Sequence, residues 1–185
     1  MSKTDQQYQE IIKGCKELFM NKASDYGTSW SILRMPSVTD QILIKAERIR
    51  SIQESQVNKV GESIEGEFVA IVNYCTIALI LLEINLRDEE GRTAAIDSLA
   101  KVEKLYDQKV DEAFKTMQKK NHDYGEAWRK IRVSSIVDLI LMKIERLKQI
   151  EDNAGKVKVS EGADANYIDM LNYAVFSLIK MEEAA

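Results

Sequence analysis

An all-α fold is predicted for this chain, a pseudo-two-fold helical bundle built from two tandem three-helix repeats. Three observations predict it. A single proline (Pro36) and eight glycines in 185 residues leave little to interrupt long helices. Apolar residues recur at three- and four-residue spacing through most of the chain, and no segment alternates as a half-buried strand would. The pattern K-x-x-D-Y-G-x-x-W occurs twice, at 22–30 and at 120–128, an offset of 98 residues.

The duplication extends beyond that pattern. Residues 22–48 and 120–146 are identical at 13 of 27 aligned positions, and Tyr8 and Tyr106 keep the same offset upstream. Downstream, Glu62 matches Glu161 and Asn73-Tyr74 matches Asn172-Tyr173, so one residue is inserted between the second and third helices. A loop absorbs such a change at the least energetic cost.

Thr4 is expected to cap a first helix reaching about residue 23, closed by the Asp25-Tyr26-Gly27 turn. A second helix is expected from Ser37 or Thr39, with Ile42, Leu43, Ala46, Ile49 and Ile52 on its apolar face. A polar loop leads to a third helix over about 62–85. The charged run at 87–91 reads as the linker between a first repeat (1–86) and a second (92–185), the two packing as one compact domain. The second repeat is expected to form helices over about 93–120, 135–151 and 164–183.

A net charge of −4 argues against a surface for polymeric nucleic acid, while leaving room for a local basic pocket. Cys15 and Cys75 lie far apart, as expected of a protein in a reducing cytoplasm rather than of a disulfide scaffold. The first residues lack the apolar core of a signal peptide. Residues 68–86 are apolar enough to be mistaken for a membrane span. Asn73, Glu83 and Asn85 interrupt them, and the matching helix carries Asp169 and Lys180, so a buried helix without a membrane is expected.

The candidate site lies in the second repeat. Lys143 and Arg146, three residues apart on a helix, are placed to hold one phosphate together. Asp138 and Glu145 share another line of that helix and are candidate catalytic residues, orienting a water. Ion pairing alone also accounts for this cluster. Glu161, Asp164, Asp169 and Asn172 fall within an arc of roughly 140° at helical spacing. Converging carboxylates repel unless a cation lies among them, so Glu161, Asp164 and Asp169 are candidate Mg²⁺ ligands. The first copy has Ala70 in place of Asp169 and is the candidate degenerate site. In the turn, Lys120, Asp123, Tyr124 and Trp128 are candidate substrate contacts, with Asn172 beside them. Core packing is the competing role for the aromatics.

These motifs resemble the nucleotide modification associated domain 1 family. Its pattern is matched at 120–125, at Lys143 and Arg146, at Glu161 and Asp164, and at 169–173. The layout also resembles, more loosely, the all-α nucleotide pyrophosphohydrolases (MazG-like), although Lys143 and Arg146 stand where that family has paired acids. The resemblance implies an Mg²⁺-dependent hydrolase acting on a nucleoside triphosphate; a non-enzymatic helical binding or interaction module is the alternative. A small-molecule nucleotide is the expected partner, and a homo-oligomer is compatible with the internal repeat.

Overall fold

Helix α1 (Lys3–Tyr26) opens on a capping box two residues earlier than Thr4: the Ser2 hydroxyl accepts from the Asp5 N–H, and the Asp5 carboxylate accepts from the Ser2 N–H. Thr4 is instead buried inside the first turn. The helix closes at Gly27, whose N–H donates to the Ala23 carbonyl. A 3₁₀ turn over Ser29–Ile32 precedes α2 (Met35–Ser55). That helix starts ahead of Ser37 because Pro36, whose fixed φ suits a first helical turn, lies inside it. The computed structural model describes residues 1–61, 63–156 and 162–185.

Helix α3 (Ile64–Ile84) is capped by Ser63, whose hydroxyl accepts from the Gly66 N–H at 3.1 Å. The expected linker at 87–91 instead starts a short helix, α4 (Glu89–Ala95), capped by Asp88. The helix expected over 93–120 is consequently broken. Asp97 and Ser98 favour caps and turns over helix interiors, and Ser98, in an extended conformation, starts α5 (Leu99–Tyr124). A second 3₁₀ turn over Ala127–Lys130 leads to α6 (Val133–Asp152) and then α7 (Ala163–Ala184). Among the described residues no strand occurs.

Helices α3 and α7 pack against each other at the centre of the bundle, each burying twelve residues, more than a single amphipathic stripe supplies. Helices α2 and α6 pack together and onto this pair, as do α1 and α5. Hydrophobic residues of both halves form one core. By length and composition α3 could cross a membrane, yet 72% of its most apolar stretch is buried inside this bundle.

Two matching hydrogen-bonded bridges tie the repeats together. Tyr8 of α1 donates to Asn172 Oδ1 of α7 at 2.7 Å, and the Asn172 amide donates to the Ala113 carbonyl of α5. Its counterpart Tyr106 of α5 donates to Asn73 Oδ1 of α3 at 2.9 Å, and Asn73 donates to the Cys15 carbonyl of α1. Each asparagine thus joins its own repeat's first helix to that of the other. Amides satisfied on both sides, buried at Asn172 and half-buried at Asn73, specify one register between the halves.

Candidate functional site

Gly125 lets α5 end against a sharp reversal. It sits in the left-handed region at φ 58°, its N–H donates to the Asn121 carbonyl, and Glu126 follows at φ 56°. The reversal points the chain back so that Trp128 is buried, stacked on Phe176 of α7 with ring centroids 4.3 Å apart. Arg129 lies over the Trp128 ring, with its guanidinium carbon 4.3 Å from the ring centroid. Arg129 also donates to Glu126, Thr4, Gln7 and Glu183, locking the turn onto α1 and the end of α7.

Between α5, this turn, α6 and α7 lies a cavity of about 440 Å³, lined by Lys120, Tyr124, Trp128, Lys143, Asp169 and Tyr173 among others. Its charged wall is an ion triad. Lys143 Nζ is 2.7 Å from Asp169 Oδ2, both side chains being 7% exposed, and Lys120 donates to Asp169 Oδ1 from a side chain 46% exposed. The three residues come from three helices. Two ammonium groups thus meet one carboxylate at the edge of an aromatic chamber. The Trp128 indole Nε1 is buried without an acceptor among the described residues, an unmet donor in the same wall.

The expected site residues divide accordingly. Lys120, Tyr124, Trp128, Lys143, Asp169 and Asn172 are brought together at the cavity. Both polar atoms of Asn172 are engaged by Tyr8 and Ala113, so its role is in holding the repeats together. Asp123 is exposed, bonded to His122, and does not line the cavity. Arg146 is also exposed outside it, so Lys143 and Arg146 do not share a phosphate-sized space. Asp138 and Glu145 face a different groove, between α2 and α6, where Asp138 lies 3.7 Å from Arg50. From Lys143, steps of five back and two forward rotate these acids to the far side of α6, which removes them from the triad.

Of the expected magnesium ligands, Asp164 and Asp169 do not come together. Glu161 lies outside the described residues, and Asp164 is exposed in the first turn of α7. Asp169 holds a lysine on each oxygen, and a divalent cation there would add two positive charges beside two ammonium groups. The described residues therefore do not fit a magnesium site at Asp169. Among them, no three His, Cys, Asp or Glu side chains are grouped to hold a metal.

Tyr173 and Phe176, which complete the aromatic wall, were not among the expected site residues. Tyr173 carried a signal, since Tyr74 matches it in the first repeat. Phe176, Glu126 and Arg129 carried none, because Ile77, Thr28 and Ser31 occupy the matching positions.

The first repeat arranges the same charges differently. Ala70 stands where α7 has Asp169, and the acid instead lies one turn earlier, at Glu67. Buried Glu67 bonds Arg48, and Lys45, the counterpart of Lys143, lies 3.3 Å from its other oxygen. At the matching position of α7 is Asn166, 3% exposed, whose Oδ1 has no donor among the described residues.

A family model described as nucleotide modification associated domain 1 matches residues 22–82 and again 120–181. No match to the chain is found among curated proteins or among solved structures. Each matched segment begins at the lysine of the repeated turn and ends within the central helix of its half. The chain belongs to the nucleotide modification associated domain 1 family and carries that domain twice in tandem.

Proposed function

We propose that the second-repeat cavity binds a nucleotide, with its phosphates at Lys120 and Lys143 and its base against the aromatic wall. The observation that carries this reading is the juxtaposition of two ammonium groups with Tyr124, Trp128, Tyr173 and Phe176 around about 440 Å³. Pockets of about 300–1,000 Å³ with few, well-placed polar groups are typical of small-ligand sites. An ammonium has three donors, so Lys143 retains N–H groups for a phosphate oxygen beyond its bond to Asp169. The family's description as nucleotide-associated supports the same class of ligand.

This is a binding reading in preference to Mg²⁺-dependent pyrophosphohydrolysis, for which the described acids do not converge. In the Trp30→Phe variant, Trp128 is the sole indole and its emission reports this cavity. Titration with ATP in the presence of EDTA is expected to give a saturable change, weakened at least tenfold by Lys120→Ala. An unchanged signal and an unchanged melting temperature across a panel of ribo- and deoxynucleotides would overturn the proposal. Turnover that requires Mg²⁺ would reinstate the hydrolase.

A further inference from the structure

The first repeat contains a cavity in the matching place. It has a volume of about 380 Å³ between α1, the 3₁₀ turn after it and α3, and its walls include Phe19, Lys22, Tyr26, Trp30 and Tyr74. Its chemistry differs from that of the second repeat in three respects. With Ala70 in place of Asp169, no carboxylate lines it among the described residues. Lys45 does not line it either, being drawn to Glu67 one turn away. Among the described lining residues Lys22 is the one charged side chain, and it makes no hydrogen bond or ion pair.

We propose that this cavity is a second ligand site, selective for a planar aromatic molecule carrying one anionic group. Four aromatic rings supply flat apolar walls, with Phe19 and Trp30 at 6.3 Å between ring centroids. The Trp30 indole Nε1 is buried without an acceptor among the described residues, as is that of Trp128. One ammonium at the α1 end of the cavity matches a single anionic substituent rather than a polyphosphate chain. Gly66 and Ala70 leave the α3 wall open: a Cβ built at Gly66 meets only Ser63 Oγ, at 3.5 Å. The support is confined to α1–α3, so the proposal stands apart from the reading of the second repeat. Two unlike sites in one chain would let two different ligands be held at once.

The chain has two tryptophans, one in each cavity. In full-length protein carrying Trp128→Phe, titration with adenosine 5′-monophosphate is expected to change Trp30 emission saturably at millimolar concentration or below. Adenosine, which lacks the anion, is expected to bind about tenfold more weakly, and Lys22→Ala to weaken the monophosphate by a similar factor. Gly66→Leu fills the cavity at a position with room for the side chain and is expected to abolish the response while leaving the circular dichroism unchanged. In wild-type protein the indole N–H resonance of Trp30 gives the same readout by NMR, independently of the reporter variant. The Trp128 response to ATP in the Trp30→Phe protein is expected to survive Gly66→Leu, which separates the two sites. No response of Trp30 to the monophosphate overturns the proposal, as does a response that Gly66→Leu leaves intact. Equal affinity for adenosine overturns it by removing the anion. If exposed Tyr26 and Ile32 mark a contact with a second copy instead, Trp30 emission shifts with protein concentration and not with the monophosphate, which also overturns it.

Discussion

Asp169→Ala tests the ion triad most directly. The carboxylate is 7% exposed and its loss leaves Lys143, equally buried, with its positive charge unopposed. Removing one partner of a buried ion pair costs about 3–5 kcal/mol, chiefly through the stranded charge. Lys120 adds little, since its side chain is 46% exposed and water replaces the lost partner. The adjoining cavity lets water approach Lys143, which places the expected cost near the lower bound, about 3 kcal/mol. For a chain of this size that lowers the melting temperature by roughly 6–12 °C. Urea unfolding followed by circular dichroism reads the difference. The first repeat supplies the rescue, because Glu67 holds Lys45 and Arg48 from one turn earlier with Ala70 beside it. Asn166→Glu in the Asp169→Ala background recreates that arrangement, replacing an orphaned amide oxygen with a carboxylate. It is expected to restore at least half of the loss. A single variant within about 0.5 kcal/mol of wild type, the range of a neutral surface change, refutes the reasoning. So does a double variant no better than the single.

Gly27 and Gly125 occupy the same motif position but differ in backbone: φ 62°, ψ −141° against φ 58°, ψ 41°. Thermal unfolding is expected to show about 1 kcal/mol lost for Gly125→Ala, a left-handed site, and a larger loss, up to about 3 kcal/mol, for Gly27→Ala. Glu151 has its carboxyl pushed above the ordinary glutamate range by burial, with Asp40 and Asp152 adding to the effect. An acid that binds its proton more tightly when folded contributes stability that is present below the unfolded value of 4.5 and is lost as pH rises above it, so Glu151 itself weakens the fold at neutral pH. Glu151→Gln, which keeps an acceptor for the Thr39 hydroxyl, is expected to raise the melting temperature at pH 7 and to match wild type below pH 4.5. Burial pushes the Cys15 thiol up to about 12 and Cys75 higher still, so a thiol-reactive chromogenic disulfide is expected to label neither until urea unfolds the protein.

Most of the fold was legible because the chain repeats itself. The offset between the copies of the turn aligned the first two helices of each half, and the one-residue change located the longer loop. What it hid was local. The break at 96–98 rests on Ser98 capping α5, a choice that an apolar pattern continuing from Ile96 to Leu99 masks. The one hydrogen-bonded role read as chemistry, that of Asn172, is a matter of tertiary pairing. Its partner Tyr8 is 164 residues away, and only the matching Tyr106–Asn73 bridge shows that the bond belongs to the architecture.

The site was harder to read for a physical reason. Helical spacing alone puts Asp169 in one arc with Glu161 and Asp164, which makes mutual repulsion the natural inference from the sequence. A carboxylate's neighbours are set by the helices packed against it, and here α5 and α6 deliver Lys120 and Lys143. Three residues assigned to two tasks, phosphate and metal, are one ion triad with a net positive charge. In the first repeat the acid has moved one helical turn, taking Lys45 with it and leaving Lys22 behind. A shift of three residues along one helix therefore changes what each cavity can bind while each buried acid keeps a basic partner. That constraint explains how two halves so alike in backbone come to hold such different walls.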